Sequence, residues 1–107
     1  MAKYLFRSTY TTEGVRGLLE EGGSGRVAAT EQLIARLGGR LESFYFAFGG
    51  ADTYIVAELP DNVTAAAVRL AATASGAVGT ETVVLLTPDE IDRATQQKVS
   101  FRPPGGQ

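Results

Sequence analysis

RLESFYFAFGGADTYIVAEL, residues 40–59, is the stretch that decides how this chain folds. Its first half sets Phe44, Phe46 and Phe48 on one side of an extended segment and Leu41, Ser43, Tyr45 and Ala47 on the other, the period-two alternation of a strand. Gly49-Gly50-Ala51-Asp52 has turn chemistry, and Thr53–Leu59 is a second run rich in β-branched and aromatic side chains. A β-hairpin over residues 40–59 follows.

On either side of this hairpin the chain reads as strand and helix. Residues 3–10 (KYLFRSTY) form a strand with Tyr4, Phe6, Ser8 and Tyr10 on one face and Leu5, Arg7 and Thr9 on the other. Thr11 or Thr12 caps a short helix carrying Val15, Leu18 and Leu19, which ends at Gly22-Gly23. Ser24 is a second cap, after which Val27, Thr30, Leu33, Ile34 and Leu37 recur at helical spacing until Gly38-Gly39. Beyond the hairpin, Pro60-Asp61-Asn62 caps a helix with an alanine-rich apolar face of Val63, Ala66, Ala67, Leu70, Ala71 and Ala74. Residues 79–86 (GTETVVLL) are a fourth strand, and Thr87-Pro88-Asp89-Glu90 is a capping box that opens a short polar helix running to about Lys98. The domain is expected over residues 1–99, and residues 100–107 (SFRPPGGQ) form a Pro/Gly-rich tail, either loose or laid on a neighbour.

The order βαββαβ, with an extra C-terminal helix, is that of a ferredoxin-like α+β fold with an antiparallel four-stranded sheet. Right-handed crossovers put both main helices on one face of the sheet. The other face is left bare, and since both alternating sets are apolar or aromatic, Leu5, Tyr45 and Ile55 against Phe6, Phe46 and Val56, a second copy packed sheet against sheet would cover it.

Composition narrows the chemistry. The chain has 107 residues, enough for one core that buries roughly two thirds of the unfolded surface without disulfides or a structural metal. Cys, His and Trp are absent, which removes thiolate and imidazole nucleophile systems and the soft or imidazole sites of zinc, copper, haem and iron-sulfur. Lysine occurs only as Lys3 and Lys98, so a buried Schiff-base lysine is not expected. Neither a cofactor nor a metal is expected. A net charge of −2 with scattered arginines gives no basic stripe for nucleic acid. The start of the chain has no charged segment followed by an apolar one, and no apolar run approaches the roughly 18 residues of a membrane helix; a cytoplasmic product without membrane or nucleic-acid partners is expected.

Several segments together resemble a known family. They are Tyr4-Leu5-Phe6 through Tyr10-Thr11, Glu13-Gly14-Val15-Arg16, Glu21-Gly22-Gly23-Ser24-Gly25-Arg26, Phe44-Tyr45-Phe46-Ala47-Phe48-Gly49, Leu59-Pro60-Asp61, Leu85-Leu86-Thr87-Pro88 and Phe101-Arg102-Pro103-Pro104-Gly105. Spread over nearly the whole chain, they resemble the small bacterial proteins of the GYD-domain family. One departure is plain: the turn that gives the family its name has Tyr before Asp, and here Ala51 precedes Asp52. The resemblance implies a dimeric α/β barrel, a fold shared by cofactor-free monooxygenases, muconolactone-type isomerases and amino-acid-sensing domains, and a shared fold does not settle function.

Five residues stand out as candidate ligand contacts: Arg7, Tyr45, Phe46, Asp52 and Tyr54. Arg7, in an otherwise apolar strand, keeps its charge when buried and suits a carboxylate or enolate; the plainer reading is an ion pair with Glu58 or Glu42. Tyr45 and Tyr54 can offer hydroxyls to the same space or simply pack. Asp52 is a ligand contact, a base, or a turn former bonded to nearby backbone. The three alternate phenylalanines, Phe46 among them, are core, dimer packing or the wall of an apolar pocket. Gly22–Arg26 (GGSGR) lacks the Gly-Lys-Ser/Thr ending of a phosphate loop and reads as a helix joint, and Asn62-Val63-Thr64 reads as a cap and not as a glycosylation site. The expected protein is a non-catalytic homodimer or higher homo-oligomer that binds a small, partly apolar molecule between paired sheets. The alternatives are a cofactor-independent monooxygenase or isomerase, in which Arg7 steadies an oxyanion while Asp52 or a tyrosine moves the proton, and a purely structural interaction module.

Overall fold

In the computed structural model, which describes residues 1–106, the hairpin consists of β2 (Arg40–Phe46) and β3 (Thr53–Leu59). Phe44 pairs with Ile55 and Phe46 with Thr53, while Tyr45 lies opposite Tyr54. The register slips between Leu41 and Ser43, so Leu41 faces Ala57. Strict alternation assigns Leu41 to the Ser43 and Tyr45 side. A bulge shifts the phase by one and turns Leu41 to the phenylalanine side instead. β2 also stops at Phe46, not Phe48, whose ring is fully exposed.

β1 (Ala2–Tyr10) pairs antiparallel with both β3 and β4 (Val78–Leu85), giving the sheet order β2-β3-β1-β4. With α1 (Thr12–Arg36), α2 (Asn62–Ala74) and α3 (Pro88–Thr95), the chain has the ferredoxin-like α+β architecture and the extra C-terminal helix read from its sequence. Tyr4, Phe6, Ala57 and Leu59 of the sheet meet Ile34 of α1 and Ala65 of α2 in the core, flanked by Leu37, Ile55 and Val68. Among the described residues no helix is long and apolar enough to cross a membrane.

Local chemistry sets where each helix begins. The Thr11 hydroxyl accepts the Gly14 N–H (3.2 Å) and donates to the Gly76 carbonyl (2.9 Å), so the cap also ties α1 to the turn before β4. Gly14 is needed there, because a Cβ would stand 2.1 Å from the Ala77 carbonyl oxygen. Gly22 interrupts α1 with φ 80 and ψ 165, a region open to glycine and costly for other residues. The helix resumes directly after it, so Ser24 lies inside the helix and is not the separate cap expected of it. α2 starts on the Asp61 carboxylate, which accepts the Thr64 N–H and the Thr64 hydroxyl, both at 2.8 Å; those bonds hold the Asp61 carboxyl below its ordinary range.

The buried side of α2 is the opposite of the one its apolar periodicity suggests. Ala65 is buried and Thr64, Val68 and Ala72 are half-buried, whereas Val63 and Leu70 are 79% and 64% exposed. Two polar bonds set this phase. The buried Tyr4 hydroxyl donates to Asn62 Oδ1 (2.6 Å), and Arg69 Nε donates to the Thr80 carbonyl (3.0 Å), so Asn62 and Arg69 border the face of Ala65, Val68 and Ala72 that meets the sheet. Alanine at position 65 allows close approach, and the larger Val63 and Leu70 are left outside.

Thr87, Pro88 and Glu90 form the expected capping box, but α3 ends at Thr95, short of Lys98. No residue of α3 is buried, and the tail expected over 100–107 is irregular through Gly106, with Gln107 outside the described residues.

Candidate functional site

The five candidate residues fall into two groups on opposite sides of the sheet. Arg7, Tyr45 and Tyr54 occupy one row on the face the helices leave open, where the registers align Tyr45, Tyr54, Arg7 and Glu81 across β2, β3, β1 and β4. The Arg7 partner is Glu81, with Nη1 to Oε1 at 2.9 Å, and not Glu58 or Glu42. The guanidinium carbon also lies 5.6 Å from the centre of the Tyr54 ring, a cation-π distance. Arg7 Nε is shielded from solvent and has no hydrogen-bond partner among the described residues. Tyr45 is 70% exposed.

Beside that row the open face is apolar, with Val56, Leu5 and Val83 in line. The following row is charged. Lys3 pairs with Glu42 and with Glu58 (2.9 Å), and Arg40 pairs with Glu58 (3.2 Å). The bonds from Lys3 and then Arg40 hold the Glu58 carboxyl below its ordinary range, and those to Glu42 and then Glu58 push Lys3 up. The open face thus carries three cations and three carboxylates, Arg7 with Glu81 and Lys3 and Arg40 with Glu42 and Glu58, around an apolar strip.

Phe46 and Asp52 lie elsewhere. They line a hollow of about 540 Å³ between the first half of α1 and the end of the hairpin, together with Tyr10, Val15, Leu18, Gly23, Ala47 and Phe48. The Gly22 break and the bare Gly23 make room for it, since a Cβ at Gly23 would stand 3.3 Å from the Phe46 ring. Asp52 is fixed at its edge: Oδ2 accepts the Tyr10 N–H (2.8 Å), its own N–H donates to the Ser8 carbonyl (2.8 Å), and its carbonyl accepts the Ala47 N–H (2.8 Å). The turn-forming role expected of an aspartate here is therefore present, and Oδ1 accepts no hydrogen bond among the described residues. Burial pushes the Tyr10 phenol above its ordinary pKa, against the pull of Arg26 and with Glu21 and Asp52 adding to the rise, so it is a neutral hydroxyl at neutral pH.

Tyr10, Ser8 and Thr53 are the residues that sequence reasoning left out of this region. Ser8 Oγ lies 3.3 Å from Thr80 Oγ1, and Thr53 Oγ1 is buried without a partner among the described residues. Their signal was the alternation of β1 itself, which places Ser8 and Tyr10 on the same face as Tyr4 and Phe6. A second hollow of about 470 Å³ at the start of β2, with Glu31, Gln32 and Arg40 on its walls, gathers none of the candidate residues. Among the described residues no three carboxylates come together as a metal site.

The sheet order and the single-sided helices define a ferredoxin-like α+β domain with an apolar hollow under a broken first helix. The chain belongs to the GYD domain family, whose sequence profile matches residues 4–95. No curated protein and no solved structure matches it.

Proposed function

We propose that this protein is a homodimer-forming binding protein for a small, largely apolar molecule, which it takes into the hollow between α1 and the hairpin end. The observation that carries the reading is the wall of that hollow: Val15, Leu18, Phe46, Ala47 and Phe48 supply apolar surface, and one fixed carboxylate with a free oxygen, Asp52, supplies direction. A volume of about 540 Å³ suits a metabolite-sized guest, and sites of this kind pair an apolar lining with a few placed polar groups. The free Asp52 oxygen selects a guest with a donor, a hydroxyl or a protonated amine, at one end. The dimer rests on the open face, whose apolar strip of Leu5, Val56 and Val83 lies between charge rows that balance, so two copies meet without net repulsion.

A thermal-shift screen across metabolite classes tests the binding, because a guest bound only by the native state raises its stability. The expected result is stabilisation by apolar amines or alcohols that Phe46→Ala abolishes and Asp52→Asn weakens. Stabilisation by no class, or stabilisation untouched by Phe46→Ala, removes the reading.

A second reading keeps the guest between paired sheets, with Arg7, Tyr45 and Tyr54 as its polar contacts. The unpartnered Arg7 Nε favours it, since a buried donor without an acceptor suits an incoming carboxylate or enolate. A cofactor-independent oxygenase or isomerase built on this face has to find its base among the tyrosines, as Asp52 lines the other hollow. Anionic guests whose stabilisation is lost in Arg7→Ala and kept in Phe46→Ala would select this reading over the first.

A further inference from the structure

The C-terminal arm has no place on its own chain. From Ile91 through Pro104 every residue is exposed, including Val99 and Phe101 at 78% and 74%. α3 has no extensive contact with any strand or helix, and the chain measures 59 × 32 × 23 Å with a radius of gyration of 17.1 Å, against about 13 Å for a compact chain of this length. A helix of eight residues cannot hold itself together in water even with a capping box, since isolated helices under about 12–15 residues are marginal. A surface packed on it would stabilise it.

The direction of the arm is built in. Pro88 restricts the residue before it to extended backbone, and Thr87 has φ −77 and ψ 159, so the chain leaves β4 without folding back. It leaves at a defined place. Lys3 pairs with Leu85 and Ala2 with Leu59, which puts the end of β4 at the end of the sheet where α2 begins. That helix carries the other apolar surface with no intrachain partner, the outer stripe of Val63, Ala66, Ala67 and Leu70. The stripe holds no ionisable side chain, and on α3 the Asp89–Arg93 pair (3.2 Å) leaves Ile91 and Ala94 to face an apolar surface.

We propose that two copies exchange their C-terminal arms, each laying Ile91, Val99 and Phe101 on the outer face of the other copy's α2. A two-fold axis near the sheet end where β4 finishes and α2 begins makes the two contacts identical, as closed dimers require. The exchange has its own two-fold axis and uses surfaces that the sheet-face homodimer proposed above leaves open, so the two contacts together build an assembly larger than a dimer.

The test uses full-length variants in sedimentation equilibrium, with amide exchange of α3 read at two protein concentrations. Ile91→Asp combined with Phe101→Asp alters side chains that are exposed in the single chain, so the fold is kept and circular dichroism checks it. With the sheet-face contact removed by Val83→Asp, the expected result is a chain that still dimerises through its arms, a dissociation constant that the double variant raises about tenfold or more, as for the loss of central apolar anchors, and α3 amides protected at high concentration but not on dilution. Leu70→Asp should weaken the dimer by a similar factor, and adding it to the double variant should cost little more. Protection of α3 that ignores concentration, or a dissociation constant unchanged in the double variant, overturns the proposal. If Val83→Asp on the open sheet face by itself yields monomer, the sheet dimer stands and the exchange falls.

Discussion

The two faces of the sheet are built from the same strands and treat polarity in opposite ways. On the helix-covered face polar groups are few and enclosed: Tyr4 and Ser8 have partners, and Thr53 and Thr82 hold hydroxyls with none. On the open face charges are many and paired in the open, as Arg7 with Glu81 and Lys3 and Arg40 with Glu58. An enclosed face gets its stability from area removed from water and is sensitive to single atoms. An open face with balanced charges gives little to the single chain and is suited to meeting another surface.

Leu59→Ala breaks that contrast most sharply. Leu59 is fully buried in the core, and its truncation should cost about 2–5 kcal/mol in denaturant unfolding. Val83→Ala on the open face should cost under about 1 kcal/mol in the single chain. Equal losses would mean that the open face is as enclosed as the other. Next in size is Gly14→Ala: with 2.1 Å between the new Cβ and the Ala77 carbonyl oxygen, backbone must shift, at about 1–3 kcal/mol, and the start of α1 over the hollow moves with it. Unchanged stability in that variant would show that α1 is not pinned at Thr11.

Much of this contrast was legible in the sequence, and the places where it was not share a cause. Alternation within β1 separated Tyr4 and Phe6 from Leu5 and Arg7, because a strand's side-chain period admits no other phase, but it could not phase β3 against β1: Ile55 was grouped with Leu5 and Val56 with Phe6, and the register pairs Leu5 with Val56 and Phe6 with Ile55. It misassigned Leu41 because the bulge beside it changes the phase without leaving a mark in composition. The α2 periodicity offered two alanine-bearing faces, and hydropathy favoured Val63 and Leu70; the choice was made by the Tyr4–Asn62 and Arg69–Thr80 bonds, which join residues far apart in sequence or on different elements. Separating Asp52 and Phe46 from Arg7 required knowing that the hairpin end lies against the first half of α1. That depends on the Gly22 break, which is visible in the sequence as a joint but not as a direction.

A smaller effect comes from a hydroxyl on the enclosed face. Thr53 is 1% exposed and its Oγ1 has no partner, so replacing it by valine removes a buried polar group of nearly the same shape. Thr53→Val should leave stability unchanged or raise it by about 1 kcal/mol, since an unsatisfied buried group carries its full desolvation cost. A clear loss would show instead that the hydroxyl is bonded to water or to a guest near the hollow, and would sharpen the case for a polar contact there.

The smallest effect belongs to the charge row at the open face, and its sign follows from the direction of each shift. Glu58 is held below its ordinary pKa, by the Lys3 ammonium first and the Arg40 guanidinium second. Its contribution is therefore present above the unfolded carboxylate range near pH 4.5 and is lost as pH falls through the lower folded value. Lys3, held above its ordinary pKa by Glu42 and Glu58, contributes below about pH 10.5 and loses that contribution as pH rises past it. Unfolding curves of Glu58→Gln should accordingly lose part of the acid limb seen in the parent chain, and the difference should shrink at high salt, because these side chains are screened when the face is open. In a dimer closed on this face the same row is shielded from solvent. A salt-insensitive difference that grows with protein concentration would then report the row from inside an interface, where charge pairs are screened less and an unpaired partner costs more.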